Sequence, residues 1–233
     1  MGIDTRLNEL YRNCPRIECK PHDKFLFIGD THMNDGGPAD DFSKNDIVFC
    51  AVLRHYHKEG YILVLLGDIT DDWECPDNNK IIRAHPEAIN LRHAFRAEGR
   101  LVQVIGNHDK DRPYREAVVL KIGDNEIFCA HGFQGDWIND EGWKIAKWIV
   151  RYFWRTLQYF GLQDPTEYNF ARHAMQAKKL KEWADNNRVC MFAHTHTMAN
   201  ERYYKNTGSW VGSVGNWVEF QGGVFKMGIG RGR

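Results

Sequence analysis

The chain has 233 residues, of which 42% are apolar, and its 31 Lys plus Arg are matched by 31 Asp plus Glu. That length suits one substantial core with an insertion better than two equal domains, and a formal charge of zero excludes a global pull toward nucleic acid or anionic membrane. No run approaches the roughly 18 apolar residues of a membrane span, the first residues hold no secretory apolar core, and the six scattered cysteines read as reduced thiols, so a soluble, cytoplasmic protein is expected.

In chain order, short apolar runs begin at Phe25 (FLFIGDTH), Tyr61 (YILVLLGDITDD), Leu101 (LVQVIGNHD), Glu126 (EIFCAHG) and Val189 (VCMFAHTH), each followed at once by a polar or glycine-rich turn. Near-continuous apolar runs are what a sheet covered on both faces requires, so these are predicted strands. Between them, SKNDIVFCAVLRHYHKEG reads as a helix capped by Ser43 and Asp46 and stopped at Gly60, and HPEAINLRHAFRAEG as a second helix closed by Gly99. Alternating strands and helices predict a layered α/β fold with functional groups collected at the carboxyl ends of the strands. Residues 137–188 differ: Trp143, Ile145, Trp148, Ile149, Tyr152, Phe153, Leu157 and Phe160 recur near helical spacing, which predicts a helical insertion. After His196 strand-like text returns, with a final hairpin turning at Gly222 and Gly223. Gly228 to Arg233 reads as a frayed basic tail.

The chemistry lies at the strand ends. Asp30 and His32, one residue apart, can reach into one space from extended backbone, and His194 and His196 repeat that arrangement with two imidazoles. Asp68, Asn107 and His131 occupy the same position after other strands. Each alone has an ordinary explanation, since aspartates cap helices and buried histidines hydrogen-bond in cores. Together they are an oxygen- and nitrogen-rich ligand set of the kind that holds metal ions.

The series GDTH (29–32), GDITDD (67–72), GNHD (106–109), HG (131–132) and HTH (194–196) resembles the calcineurin-like metallophosphoesterase superfamily over about Phe25 to Phe225. The resemblance implies a four-layer α-β-β-α sandwich within one domain, 1–233, carrying a helical cap at 137–188. It further implies that Asp30, His32, Asp68 and His196 bind one metal, that Asp68, Asn107, His131 and His194 bind a second, and that Asp68 bridges them. Mixed carboxylate, amide and imidazole ligation favours Mn²⁺, Fe or Zn²⁺ over Ca²⁺, with Mn²⁺ the first expectation. The expected reaction is hydrolysis of a phosphodiester or pyrophosphate by a hydroxide bridging two cations about 3.5 to 4 Å apart. His108 is the expected proton donor, oriented by Asp109, with the simpler role of a cationic phosphate ligand as its alternative. One departure is visible: the glycine usual before HTH is Ala193.

Substrate is less legible. Protein phosphatases of the superfamily usually carry GDxVDRG and GNHE, so GDITDDW and GNHD point away from phosphoproteins. Trp73, the long insertion and YKNTGSW (204–210) look more like the branch of UDP-2,3-diacylglucosamine pyrophosphatases, which commonly carry Arg where this chain has His108. The expected partner is a phosphorylated small molecule or nucleotide-linked substrate, contacted by Asn107, His108 and Arg172. In the insertion, Trp143, Trp148, Tyr152, Phe153 and Trp154 interleave with Lys144, Lys147, Arg151 and Arg155. Such a stripe most often packs on its own domain. It also suits contact with acyl chains or a membrane surface, or stacking on nucleic-acid bases, which makes a nuclease one alternative. A scaffold that keeps the fold without catalysis is another. Lys178, Lys179 and Lys181 suit any polyanion.

Overall fold

The computed structural model describes residues 2–140, 142–149, 170–185 and 188–232. One sheet is built on β2 (Phe25–Ile28), β3 (Ile62–Leu66) and β4 (Leu101–Val104), all parallel, and is extended through the antiparallel strands β10 (Val214–Gln221) and β11 (Val224–Arg231) in the order β11-β10-β2-β3-β4. The other contains β1 (Arg16–Cys19), β5 (Ala117–Ile122), β6 (Asn125–Ala130), β7 (Val189–Phe192), β8 (Ala199–Asn200) and β9 (Tyr204–Asn206) in the order β1-β5-β6-β7-β9-β8.

The apolar runs serve two faces at once. Along β2, Phe25 and Phe27 turn toward the second sheet, whereas Leu26 and Ile28 face helices α2 (Asp46–Lys58), α3 (Asn78–Ala84) and α4 (Pro86–Ala97). Val64 and Leu66 repeat this inward and Leu63 and Leu65 outward on β3. Across the second sheet, Val118, Leu120, Cys129 and Met191 point in, while Val119, Phe128, Cys190 and Phe192 point out. Those outward residues are covered by α1 (Ile3–Asn13), through Leu7 and Leu10, and by a late helix, Phe170–Ala184, through Leu180, Trp183 and Ala184. Three apolar clusters thus bind four layers, the α-β-β-α sandwich expected. Fully burying each large side chain contributes roughly 1.5–3 kcal/mol.

Several local expectations change. Helix α2 starts later than its sequence suggested and has no side-chain cap: Ser43 donates to the Asp40 carbonyl, and Asp46 turns to His85. The hairpin does turn at Gly222 and Gly223, whose φ values of 59° and 84° suit the tight turn between twisted strands. The C-terminal segment is not a frayed tail, because β11 pairs with β10 as far as Arg231 opposite Val214. A Cβ at Gly228 would lie 2.0 Å from the Trp217 ring, so the small residues there let an indole close over the strand.

The insertion is helical where it is described: α5 (Trp137–Asp140), α6 (Trp143–Ile149) and the late helix, here α7. Arg151, Tyr152, Phe153, Trp154, Arg155, Leu157 and Phe160 lie outside the described residues. Within α6, Trp148 is exposed, while the Trp143 ring is flanked by the ammonium groups of Lys110, Lys144 and Lys147 at 5.9, 5.8 and 5.4 Å. No described helix is long and apolar enough to cross a membrane.

Candidate metal centre

The loops that follow β2, β3, β4, β6 and β7 meet at one edge of the sandwich, and their backbones are bent into unusual shapes to do so. Among the described residues, the non-glycine positions with positive φ are Asp30, His32, Asp68, His194 and His196, at 50°, 46°, 50°, 67° and 54°. Left-handed backbone costs an L-residue roughly 1 kcal/mol or more, and it persists where the surroundings overdetermine it, typically at functional sites. Here it falls wholly within the ligand set read from the sequence. Close approach adds a second constraint: a Cβ on Gly106 would sit 2.1 Å from Asp68 Oδ1, and one on Gly67 would sit 2.4 Å from the Gly106 nitrogen. The glycines of GD and GN therefore let two loops touch.

Each carboxylate is anchored by one oxygen and presents the other. Asp30 Oδ2 accepts the His194 N–H at 2.7 Å, and its Oδ1 lies 3.5 Å from His196 Nε2 and 3.7 Å from Nε2 of both His32 and His131. Asp68 Oδ1 accepts the His108 N–H at 2.7 Å, and its Oδ2 lies 3.0 Å from His131 Nε2 and 3.8 Å from His32 Nε2. His131 Nδ1 lies 2.7 Å from the Leu66 carbonyl. In the neutral imidazole that bond places the proton on Nδ1 and a lone pair on Nε2, the arrangement a metal ligand needs. Donor atoms of Asp30, His32 and His196 all lie within 4.8 Å of one another, as do those of Asp68, His131 and His194.

These residues fit divalent cations. Asp30 Oδ1, His32 Nε2, Asn107 Oδ1 and His131 Nε2 are buried with no hydrogen-bond partner among the described residues. Leaving such atoms unpaired costs about 1–3 kcal/mol each, so four in one small space argue for ions as their partners. Within the set, opposite charges offset one another. Burial opposes charge on Asp30, yet the fields of His131 and His196 hold its pKa well below the usual carboxylate range. Asp68 is likewise lowered, with burial opposed chiefly by His131 and His108. Burial also opposes charge on His131, but Asp68 and Asp30 raise its pKa to about 9. His194 moves the other way, pushed well down by burial and by His131.

His108 stands beside this set. Its Nδ1 lies 2.9 Å from Asp71 Oδ2, and Trp73 stacks on its ring with centroids 4.2 Å apart and planes 15° from parallel. Asp71 is itself fixed, since its Oδ1 accepts the N–H groups of Trp73 and Glu74 at 3.0 Å. The expectation that Asp109 orients His108 is therefore corrected. Asp109 Oδ1 accepts the Gly106 N–H at 2.6 Å and its Oδ2 the Ile69 N–H at 3.1 Å, so it clamps the loops after β3 and β4. Burial and the neighbouring Asp68 raise its pKa to about 6. Arg172, expected to meet substrate, is instead engaged with Asp136, with Nη2 2.6 Å from Oδ1 and Nε 3.1 Å from Oδ2.

Two residues of the site escaped the sequence reading. Asp71 was signalled only by its place three residues after Asp68 in GDITDD. His173 of α7 gave no motif at all, yet its ring lies 5.1 Å from that of His196 and 6.0 Å from that of His194. Burial and His196 lower its pKa to about 4. The departure at Ala193 is also accounted for: its methyl occupies the space opposite Gly29, where an added Cβ would approach it to 2.5 Å.

Residues 23–198 match the sequence profile of the calcineurin-like phosphoesterases. Among solved structures, the chain is similar to a predicted phosphoesterase from Streptococcus pneumoniae (16% identity, 90% of this chain and 89% of that one, TM-score 0.40). It is also similar to the cold-active protein-tyrosine phosphatase of a Shewanella species (14% identity, 90% and 81%, TM-score 0.44) and to a Vps29 variant from Entamoeba histolytica (16% identity, 90% and 99%, TM-score 0.39). A search of curated proteins found no match.

Proposed function

The chain belongs to the calcineurin-like phosphoesterase family, and on that premise we propose that it hydrolyses a phosphodiester or pyrophosphate with two divalent ions, Mn²⁺ first among them. The observation that carries this reading is the convergence of buried, unpartnered donors on Asp30, His32, Asn107 and His131. Asp30, His32, Asp68 and His196 would hold one ion, and Asp68, Asn107, His131 and His194 the other, with Asp68 shared. When bound, the ions supply Lewis acidity, lowering the pKa of water and polarising the phosphoryl group.

The chain's own residues do the rest. Asp71 holds His108 by Nδ1, leaving Nε2 as the nitrogen that delivers a proton to the departing oxygen. Trp73 fixes the tilt of that imidazole by stacking on its face. The side chain of His108 is 14% exposed, enough to meet substrate, while Asp71 behind it is 3% exposed. Since GDITDDW replaces GDxVDRG, the substrate is a phosphorylated small molecule or nucleotide-linked compound in preference to a phosphoprotein. Purified protein loaded with Mn²⁺ should cleave bis(p-nitrophenyl) phosphate, and Asp68→Ala should abolish cleavage. Equal inactivity of both proteins across Mn²⁺, Zn²⁺ and Fe on several phosphoesters would overturn the reading.

A further inference from the structure

Away from the metal donors, the outer face of the edge strand β4 and helix α4 enclose a cavity of about 200 Å³ lined by Arg92, Arg96, Arg112, Gln103, Tyr114 and Asn78, among others. None of the metal-donor residues lines it, and no carboxylate does so among the described residues. Its position follows from the alternation of β4: Val102 and Val104 face the second sheet, which turns Leu101 and Gln103 toward α4.

Arg92 is the unusual member. It is only 8% exposed, its Nε is buried without a hydrogen-bond partner, and its Nη2 reaches Gln103 Oε1 only at 3.5 Å. A buried guanidinium normally secures a carboxylate, because an unpaired buried charge is costly. Here no carboxylate is hydrogen-bonded to it among the described residues. Burial pushes its pKa down to about 10; Tyr114 and Asp109 oppose that fall, and Arg96 and Arg112 add to it more weakly. Both Asp109 oxygens are already taken by backbone N–H groups. Arg112 is the better satisfied of the three, with Nε and Nη2 each 2.7 Å from Asp72 and Nη2 3.1 Å from Asn78 Oδ1.

Three guanidiniums, with Asp72 engaged by Arg112 and Asp109 committed to backbone N–H groups, stand around a small concave space with amide and phenol groups on its wall and form a receptor for an oxyanion. Planar guanidinium forks match phosphate oxygens in pairs, and partial burial strengthens each contact relative to open water. The volume is below the roughly 300–1,000 Å³ of sites for drug-sized ligands, which limits the guest to a single phosphoryl-sized group. We propose that this cavity binds a phosphate-sized oxyanion through Arg92, Arg96 and Arg112, at a site separate from the metal centre. The guest is either free inorganic phosphate or the phosphoryl group of a small monoester.

Isothermal titration of inorganic phosphate into the full chain, kept free of divalent metal by a chelator, tests this, using wild type, His196→Ala to remove one ligand of the metal centre, Arg92→Met and Arg96→Met. Arg96 is exposed, so its variant keeps the test decisive if Arg92→Met fails to fold. One phosphate equivalent should persist in His196→Ala, and it should weaken at least tenfold when either arginine is replaced in that background. Sulfate should compete, whereas chloride at equal ionic strength should not. A small monoester that displaces phosphate with at least tenfold higher affinity would identify the monoester as the guest, and failure to do so would identify free phosphate. The proposal is overturned if His196→Ala binds no phosphate, or if the arginine variants bind it as tightly as their parent.

Discussion

His108 and Asp71 form one unit, with Nδ1 of the imidazole 2.9 Å from a carboxylate oxygen whose partner oxygen is held by two backbone N–H groups. An imidazole so held has one nitrogen left for substrate, which suits a proton donor better than a loose phosphate ligand. His108→Ala should therefore slow turnover by roughly 10²–10⁴-fold when the leaving group is a poor one. Loss should be much smaller with p-nitrophenolate, which departs without a proton. Asp71→Asn should reproduce the dependence on leaving group in weaker form, and Asp109→Asn should not. Measuring kcat against leaving-group pKa for the three variants checks this; identical slopes in His108→Ala and wild type would remove the proton-donor role.

Gly29 and Ala193 should be energetically coupled. A Cβ on Gly29 would lie 2.5 Å from that of Ala193, so Gly29→Ala should cost about 1–3 kcal/mol by overpacking. Adding Ala193→Gly should return much of that loss, giving a coupling above about 0.5 kcal/mol in a double-mutant cycle followed by urea denaturation. Additive effects would show that the two methyl positions do not meet.

His85 gives stability a pH dependence unrelated to catalysis. It is buried between Asp40 and Asp46, with Nε2 2.7 Å from one and Nδ1 3.1 Å from the other. Burial opposes its charge, but these bonds raise its pKa from 6.5 to about 9. The folded state thus binds the proton more tightly than the unfolded chain does. Its contribution, at most about 3 kcal/mol, should be fully present below pH 6.5 and lost as pH rises through 9. Urea denaturation of wild type between those values should show a fall that His85→Gln lacks.

Much of this site was legible because the strands carry it. FLFI, ILVLL, LVQV, EIFCA and VCMF announce themselves as apolar runs, and a strand end fixes where the next residue must go, so Asp30, Asp68, Asn107, His131 and His194 could be placed without coordinates. What escaped depends on contacts between distant segments. His173 reaches the site because α7 packs on the second sheet through Leu180, Trp183 and Ala184. No periodicity along α7 says which loop its first turn will meet. Asp109 was misread for a related reason: adjacency to His108 in sequence says little about which way a side chain turns in a loop. The small C-terminal residues resembled a tail because glycine weakens strand propensity, and only the Trp217 ring explains their use.

The two-ion site proposed for Asp30, His32, Asp68, Asn107, His131, His194 and His196 makes a stoichiometric prediction. It is read by titrating metal-stripped chain with Mn²⁺ while hydrolysis of bis(p-nitrophenyl) phosphate is followed. Activity should rise to a plateau at about two equivalents per chain, as two-metal hydrolysis requires, and Asp68→Ala should show neither the plateau nor tight uptake. Full activity in the stripped protein, or no Mn²⁺ bound by the wild type, would contradict it.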